Sequence, residues 1–195
     1  MKREIGRKLL HLLFGVSIII LLIYNFITAK ILFYILTFGI FLSLLSMKIN
    51  IPIFSWFLRN FERTEKEKIP GKGILFFLAG SLLVLKLFPI DIALASISIL
   101  TFADSLSFLF GRFLGKTRCG LNYLKNWEGI IFGILIGTIF SMFFVSFPEA
   151  FIASFFAMLV EAVEIKVSEE NLDDNLLIPL VAGTAVYLFR IWILA

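Results

Sequence analysis

Long stretches without a charged residue are the feature of this sequence that most restricts its fold. Residues 12–23 and 130–147 contain no charged side chain, and the whole chain is 60% hydrophobic and only 16% charged. Soluble domains carry about 25% charged residues. In a bilayer core each backbone amide must find its partner inside the protein, so apolar stretches of this length predict transmembrane helices. We therefore expect an all-α, polytopic membrane helix bundle.

Seven apolar segments of the chain are candidates for transmembrane helices. The third and the sixth are short for a hydrocarbon core of about 30 Å, which needs roughly 20 helical residues. We expect the seven helices to form a single integral membrane domain over residues 1–195. In the fifth segment Gly129, Gly133 and Gly137 recur at intervals of four and predict a seam for close helix packing. The segments are residues 9–27, 31–47, 74–88, 90–110, 129–147, 149–163 and 176–194.

Basic residues are distributed unevenly between the two sides of the membrane in this arrangement. Seven alternating spans place 15 of the 18 Lys and Arg residues on the side of the amino terminus. Because cytoplasmic loops are enriched in Lys and Arg, this side is predicted to be cytoplasmic. The cytoplasmic loops, near residues 48–73, 111–128 and 164–175, are also the long ones, and loops on a rigid scaffold often carry function. We predict a multi-pass protein of the cell membrane, or of the endoplasmic reticulum membrane in a eukaryote.

Asp104 interrupts the fourth apolar segment near its predicted cytoplasmic end. A carboxylate at membrane depth is costly unless it is paired, and it indicates a functional site by default. Ser107, Gly111 and Gly115 follow on the same face of a continued helix. This stripe would offer oxygen ligands and room for the close approach of a ligand. The alternative interpretation is an Asp paired with an Arg of a neighbouring helix to hold the bundle together.

The segment from Gly111 to Thr117 contains glycines and basic residues but is not a P-loop. A P-loop has four residues between its first glycine and its Gly-Lys pair, whereas this segment has three. Arg112, Lys116 and Lys125 near these glycines would still suit a polyphosphate. The positive-inside rule alone also predicts basic loops, so these charges by themselves are weak evidence for a phosphate site. Their position close to Asp104 strengthens that interpretation.

Two further carboxylates, Glu161 and Asp174, are predicted to lie at the same membrane face as Asp104. Mg²⁺ in nucleotide sites is bound by one or two carboxylates together with substrate phosphates, so these three residues are candidate metal ligands. Glu128, Glu161 and His11 are candidates for a general base. A lone histidine at the start of a span is also a common interface residue, so both interpretations of His11 stay open.

Four segments, in order along the chain, resemble the polyprenol kinase group within the membrane cytidylyltransferase superfamily. This group comprises dolichol kinase, phytol kinase and CTP-dependent diacylglycerol kinase. The patterns are Arg-Lys-x-x-His, an Asp with two spaced glycines followed by Lys-x-x-Glu-Gly, a single Glu, and Asp-Asn-x-x-x-Pro. The matching residues are Arg7, Lys8, His11, Asp104, Gly111, Gly115, Lys125, Glu128, Gly129, Glu161, Asp174, Asn175 and Pro179.

The resemblance implies a kinase that transfers the γ-phosphoryl group of CTP to the hydroxyl of a membrane isoprenoid alcohol of the dolichol or polyprenol type. It implies Mg²⁺ as cofactor, CTP as co-substrate, and the lipid alcohol and the bilayer as partners; no nucleic-acid partner is expected. Resemblance and charge pattern together give the predicted site residues. These are catalytic Asp104, Arg7, Lys8 and Glu128; nucleotide-binding Gly111, Arg112, Gly115, Lys116, Lys125 and Gly129; metal-binding Asp104, Glu161 and Asp174; and, as further residues, His11 and Asn175.

Three other functions remain as alternatives at this point. A CTP-dependent diacylglycerol kinase would share the whole pattern, apart from its acceptor. A cytidylyltransferase that forms CDP-lipids is disfavoured, because the longer glycine-, histidine- and aspartate-rich signature of those enzymes is not found in the sequence. A small transporter is disfavoured because its site would lie near the midplane, often between repeats. The pair Asn126-Trp127 departs from the family pattern, in which a small or hydroxyl residue usually follows the Lys.

Overall fold

The chain forms a bundle of helices in a computed structural model that describes residues 2–49, 51–52, 69–120, 125–163, 166–167 and 170–194. Two antiparallel strands of two residues each, β1 Lys166–Val167 and β2 Glu170–Asn171, precede the last helix. The predicted loops near 48–73, 111–128 and 164–175 lie partly outside the described residues. The helices are α1 Lys2–Ile23, α2 Ala29–Ser46, α3 Lys72–Leu87, α4 Ile90–Ser98, a π-helical turn Ile99–Ala103, α5 Asp104–Leu114, α6 Trp127–Ser141, α7 Phe147–Ala162 and α8 Asp174–Leu194.

The described helices confirm the prediction of a helical membrane bundle. Because α4, the π turn and α5 form one continuous helix, which we call the central helix, the described residues contain seven helical rods. Four of them are long and apolar enough to cross a membrane: Glu4–Ile23, Ala29–Ser46, Ile90–Leu114 and Asp174–Ile193. Helices α3, α6 and α7 have only 15 or 16 residues, or about 24 Å at most. Seven complete crossings and a cytoplasmic amino terminus therefore stay predictions.

The boundary between α6 and α7 differs from the predicted one. Helix α6 ends at Ser141 instead of residue 147. The carboxylate of Glu149 accepts hydrogen bonds of 2.8 Å from both the backbone N–H and the hydroxyl of Ser146. These hydrogen bonds cap the amino terminus of a new helix that begins at Phe147. The apolar residues between Ser141 and Phe147 therefore form a turn and do not continue α6.

The central helix lies in the middle of the bundle, where it contacts α1, α6, α7 and α8. Within its span window 78% of residues are buried, compared with 11% in α2, which lies at the periphery and packs mainly against α3. The apolar side chains of Ile92, Ile97, Ile99 and Leu100 are fully buried. Any side chain on the central helix is therefore fixed by several neighbours, and Asp104 is one of them.

Helix α1 is held against the π turn by a close contact between Gly15 and Thr101. A β-carbon on Gly15 would overlap the Thr101 hydroxyl and would lie 2.8 Å from Thr101 Cβ. Lys8 and His11 precede Gly15 by seven and four residues, so all three lie on one face of α1. The contact therefore directs His11 and Lys8, one and two turns before Gly15 on α1, toward the central helix.

The predicted glycine seam of α6 is confirmed. A β-carbon on Gly129 would lie 3.0 Å from the Cα of Gly111, and one on Gly137 would lie 2.8 Å from the hydroxyl oxygen of Ser154. A β-carbon on Gly133 would overlap the end of Met158. These glycines let α6 pack closely against both α5 and α7.

A polar cluster that the sequence did not reveal marks the opposite end of the bundle. Arg190 of α8 binds Asp91 Oδ2 through Nη2 at 2.7 Å and Glu149 Oε1 through Nε at 2.5 Å. Asp91 and Glu149 lie in the first turns of α4 and α7. At about 1.5 Å per residue, Asp91 and Asp104 are roughly 20 Å apart along the central helix. The two ends of the bundle thus carry separate charged clusters.

Candidate active site

The centre of the candidate site is an ion pair between Lys8 of α1 and Asp104 of α5. The ammonium group of Lys8 lies 2.7 Å from Oδ1 and 2.6 Å from Oδ2 of the carboxylate. Asp104 is only 3% exposed, and the ammonium also lies over the ring of Phe108, 5.6 Å from its centroid. The costly acid predicted from the sequence is therefore paired, with a lysine of the predicted motif instead of an arginine.

His11 lies beside this ion pair on the next turn of α1. Its Nε2 atom is 3.8 Å from Asp104 Oδ2 and, within the described part of the chain, is buried without a hydrogen-bond partner. The ring packs edge-on against Phe77, with centroids 4.7 Å apart. Burying a polar atom without a partner costs free energy. Nε2 is thus a position at which a ligand or a water molecule would be stabilised.

A second ion pair joins Lys125 to Glu161 at the end of α7. The ammonium group of Lys125 lies 2.5 Å from Glu161 Oε1 and 2.7 Å from its backbone oxygen. Asp174 Oδ2 lies at 4.0 Å. Although burial alone would lower the pKa of Lys125, the carboxylates of Glu161 and Asp174 raise it above its usual value. Lys125 therefore remains a cation at neutral pH.

Ser107 links the two ion pairs. Its hydroxyl lies 3.0 Å from the backbone oxygen of Asp104, one turn earlier, and 3.5 Å from Glu161 Oε2. Ser107 and Glu161 are each 5% exposed. We refer to Lys8, Asp104, Ser107, Lys125 and Glu161 as the charged cluster. It is built from α1, the central helix, α7 and the segment before α6, which lie far apart in sequence.

The segment before α6 folds back on itself and thereby places Lys125. The backbone N–H of Cys119 donates to the backbone carbonyl of Lys125 at 2.8 Å, and the backbone N–H of Trp127 donates to the backbone carbonyl of Thr117 at 3.0 Å. Glu128 accepts a hydrogen bond from the Thr117 N–H at 2.9 Å. Hydrogen bonds from backbone amides, first its own and then those of Lys116 and Thr117, lower the pKa of Glu128. These contacts hold the Glu128 side chain against the backbone of Lys116 and Thr117.

The glycines predicted to contact the nucleotide have protein neighbours in the structure. Asn126 Nδ2 donates to the Gly111 carbonyl at 2.6 Å. A β-carbon on Gly115 would overlap the Asn126 amide and would lie 2.7 Å from Asn126 Cβ. Asn126, the departure from the family pattern, therefore occupies the space beside both glycines. Close packing alone explains these glycines, and their contact with a nucleotide stays a prediction.

The Asp-Asn-x-x-x-Pro segment joins the start of α8 to α3. Pro179 has no N–H, so the carbonyl of Asn175 lacks its helical donor. Gly80 of α3 approaches this carbonyl so closely that a β-carbon would overlap it. The Asn175 side chain also donates to the Gly73 carbonyl at 3.2 Å. Asn175 therefore anchors α8 to α3, while the neighbouring Asp174 reaches toward Lys125.

The predicted metal ligands do not form a metal site by themselves. Within the described ranges no group of three His, Cys, Asp or Glu side chains could hold a metal ion. Asp104 and Glu161 each bind a lysine, and the Asp174 side chain is 45% exposed. The donor set therefore fits a Mg²⁺ ion that arrives with nucleotide phosphates, for which one or two carboxylates suffice, and not a cation bound by the protein alone.

The predicted site residues fall into three groups in the structure. Lys8, His11, Asp104, Lys125 and Glu161 come together, with Asp174 at the edge. Arg112 in the last turn of the central helix and Lys116 just after that helix are exposed, and Arg7 interacts electrostatically with His11. Sequence reasoning missed the positioning contact of Gly15 with Thr101, although Gly15 continues the face of Lys8 and His11. The remaining predicted residues, Gly111, Gly115, Glu128, Gly129 and Asn175, make the packing and anchoring contacts described above.

Comparison with known proteins assigns the chain to a family. No protein-family model and no solved structure matches it. It is 33% identical over 186 residues to the Methanocaldococcus jannaschii protein described as "Uncharacterized protein MJ1137", an alignment that covers 93% of this chain and 91% of that protein. The chain belongs to the MJ1137 family.

A second relative of this MJ1137 family member has a named activity. The chain is 28% identical over 141 residues to "CTP-dependent diacylglycerol kinase 1" of Schizosaccharomyces pombe. The alignment covers 64% of this chain and 63% of the kinase, so the chain spans less than two thirds of the kinase's length. The similarity is thus to a CTP-dependent lipid kinase, over part of each chain. Together with the four helices of spanning length, it identifies a multi-pass membrane protein.

Proposed function

We propose that this protein is a CTP-dependent kinase that phosphorylates the hydroxyl of a membrane lipid at the cytoplasmic end of the bundle. The observation that carries the proposal is the charged cluster, in which two buried carboxylates and two lysines meet at one end of the helices. The similarity to a CTP-dependent diacylglycerol kinase supports the phosphoryl donor and the class of reaction.

The charged cluster suits phosphoryl transfer because this reaction requires positioning and neutralisation of charge more than covalent chemistry. Lys8 and Lys125 are cations held in a largely buried environment, where their attraction for phosphate is weakly screened. The exposed Arg112 and Lys116 extend the positive charge toward the aqueous side. Asp104, with Glu161 or Asp174, would hold a Mg²⁺ ion bound to the nucleotide, which would supply further neutralisation of the phosphate charge.

In the proposed reaction the lipid hydroxyl oxygen forms a bond to the γ-phosphorus of CTP. The bond from that phosphorus to the β,γ-bridging oxygen breaks, and CDP leaves with this oxygen. The hydroxyl proton passes to a general base, and His11 is our choice because Nε2 is buried, unpaired among the described residues and 3.8 Å from Asp104. The other predicted candidates are engaged elsewhere, Glu161 with Lys125 and Glu128 with Thr117.

The acceptor we propose is an isoprenoid alcohol of the dolichol or polyprenol type, on the basis of the sequence resemblance. Diacylglycerol is the second candidate, because the name of the yeast relative favours it. Both lipids would place an apolar tail in the bilayer and a hydroxyl at the membrane surface. The chemistry at the charged cluster would be the same for either one.

The test is incubation of the purified full chain with γ-labelled CTP or ATP, Mg²⁺ and a panel of a polyprenol, a phytol-type alcohol and diacylglycerol. We expect label in lipid phosphate, more from CTP than from ATP, and no label with an Asp104→Asn variant. A parallel reaction with α-labelled CTP should leave the lipid unlabelled. Label in the lipid from α-labelled CTP would replace the kinase with a cytidylyltransferase, and no labelled lipid from any acceptor would overturn the proposal.

A further inference from the structure

A cavity of about 390 Å³ opens between α2 and α3, at the end of the bundle away from the charged cluster. Lys30 is the second residue of α2 and Lys86 lies in the last turn of α3. This end of α3 leads directly into α4, whose first turn contains Asp91 of the Arg190 cluster. The cavity is lined by Ala29, Lys30, Phe33, Leu82, Leu83 and Lys86.

Helices α2 and α3 are in close contact at the end away from the cavity. Toward the end of α2 the Ser43 hydroxyl donates to the Pro70 carbonyl at 2.6 Å. One turn earlier, a β-carbon on Gly39 would lie 3.0 Å from Leu75 Cδ2. Among the described residues α2 packs mainly against α3, and the wedge between them near Lys30 is open.

Neither lysine of the cavity has an acidic partner among the residues that the structure describes. Of the ion pairs among described residues, none includes Lys30 or Lys86, and the lining contains no acidic residue. Arg190, the other basic residue predicted outside the cytoplasmic face, is paired with both Asp91 and Glu149. Unpaired cations on this side run against the positive-inside rule. A negatively charged ligand would account for them.

We propose that this cavity binds an anionic phospholipid of the leaflet opposite the charged cluster. Its phosphate lies between the ammonium groups of Lys30 and Lys86, and one of its chains lies along Phe33, Leu82 and Leu83. The volume falls within the usual range of about 300–1,000 Å³ for small-ligand sites. Each basic residue near a membrane surface strengthens binding of anionic lipid by about fivefold. The site is at the other end from the charged cluster, so the inference is independent of the proposed kinase activity.

Two other occupants suit the cavity less well. A second copy of the chain in a symmetric contact would bring four lysines together with no acidic residue in the lining to neutralise them. A free phosphate ion would use the lysines but would leave the apolar surface of Phe33, Leu82 and Leu83 without a partner. The combination of two cations with an apolar wedge therefore favours a lipid.

The test is native mass spectrometry of the full chain reconstituted with equal amounts of phosphatidylglycerol and phosphatidylcholine. We expect wild type to retain one phosphatidylglycerol through delipidation, and the double variant Lys30→Gln/Lys86→Gln to bind it roughly 25-fold more weakly, at about fivefold per lysine. Lys48→Gln, the same change at an exposed lysine just beyond the other end of α2, is the matched control and should keep the lipid.

A second variant tests whether lipid binding requires the cavity as well as the charge of the two lysines. Ala29→Trp keeps both lysines and places a bulky side chain in the wedge, so we expect it to lose the retained lipid as well. The proposal is overturned if the double variant keeps phosphatidylglycerol at the wild-type level, or if Ala29→Trp binds it unchanged. Displacement of the lipid by an equal concentration of inorganic phosphate would assign the site to a free anion and overturn it equally.

Discussion

Lys8 and Asp104 are 96 positions apart in sequence, yet both carboxylate oxygens of Asp104 lie within 2.7 Å of the Lys8 ammonium group. The side chains are 12% and 4% exposed. This ion pair joins the first helix to the central one and also forms the core of the candidate site. Removing one partner leaves the other charge buried and unpaired. Tests of function must therefore separate lost chemistry from lost stability.

Asp104→Asn is expected to reduce lipid phosphorylation by at least roughly 100-fold, because under the proposed function Asp104 would organise Lys8 and hold the nucleotide-bound metal ion. Unpairing Lys8 should also lower the free energy of unfolding by about 3–5 kcal/mol. Activity is to be measured per mole of protein that remains monodisperse in size-exclusion chromatography. Near wild-type activity of that fraction would show that Asp104 has no part in the chemistry.

Asp91→Asn is the matched control for this variant. It also removes one carboxylate from an ion pair with a basic residue, but at the opposite end of the same helix. Asp91 is 39% exposed and Arg190 keeps Glu149 as a partner, so the loss of stability should be smaller. We expect its activity per folded molecule to stay within about twofold of wild type.

A double-mutant cycle of Lys8→Met and Asp104→Asn separates the structural role of the pair from its chemical role. Each single variant leaves a polar partner buried, whereas the double variant removes both charges. We expect the double variant to be less destabilised than the sum of the single variants, with a coupling of about 1–3 kcal/mol. Activity should be absent from all three. Additive stabilities in thermal unfolding, or renewed activity in the double variant, would contradict this account.

The fold class and the residues of the charged cluster were predictable from sequence for identifiable reasons. Long charge-free stretches predict membrane helices, so α1 over residues 12–23 and α6 over residues 130–141 follow from hydropathy, whereas the turn at residues 142–146 does not. Asp104 is conspicuous because a carboxylate interrupts an apolar helix. The periodicity of a helix places Ser107 on the same helix face as Asp104, and Lys8 on the same helix face as His11. Most of the charged cluster can therefore be found without coordinates.

The partners within the cluster could not be predicted, because they depend on contacts between distant helices. No local pattern shows that Gly15 fits against Thr101, or that Glu161 pairs with Lys125 and not with another cation. The π turn that precedes Asp104 has no sequence signal that we recognise. The role of Asn126 was missed because its contacts with Gly111 and Gly115, which lie 15 and 11 positions away, depend on how the start of α6 packs against α5.

Gly15→Ala should disturb the site without altering any charged residue. The new methyl group overlaps the Thr101 hydroxyl, so α1 must shift and carry Lys8 and His11 away from Asp104. Overpacking of this kind costs about 1–3 kcal/mol, and we expect activity to fall by at least about tenfold. Thr101→Ala in the same chain should restore part of both losses. Gly73→Ala is the control, since a β-carbon there meets nothing within 4 Å, and it should leave activity and unfolding temperature essentially unchanged.

Substitutions of Glu128 distinguish a positioning role from catalysis. Glu128 binds the backbone N–H of Thr117, and the side-chain oxygen of a glutamine can accept the same hydrogen bond. Glu128→Gln should therefore keep most of kcat, while Glu128→Ala should raise the KM for CTP several-fold by loosening the segment that carries Lys125. Steady-state kinetics with varied CTP measure both. Equal loss of kcat in the two variants would instead assign Glu128 to the reaction itself.

Asp173 should give the protein a dependence of stability on pH in the acidic range. Its side chain accepts a hydrogen bond from the Asn175 N–H at 3.1 Å and so caps α8. Burial raises its pKa, and although the Asn175 N–H and Lys72 oppose the shift, Asp174 adds to it. A raised pKa in the folded state means that the stabilising effect of protonation is complete below the ordinary value of about 3.9 and is lost as pH rises through the higher folded value.

Asp173→Asn keeps a capping side chain but removes this buried charge, so we expect it to unfold at a higher temperature than wild type at pH 7. The difference should shrink as pH falls toward 4, because wild type then gains the proton that the variant does not need. Thermal unfolding in detergent, followed by tryptophan fluorescence between pH 4 and 7, measures it. Glu4→Gln, at an exposed carboxylate in the first turn of α1, should show no such trend. A gap that stays constant or widens toward pH 4 would rule out an unfavourable buried charge at Asp173.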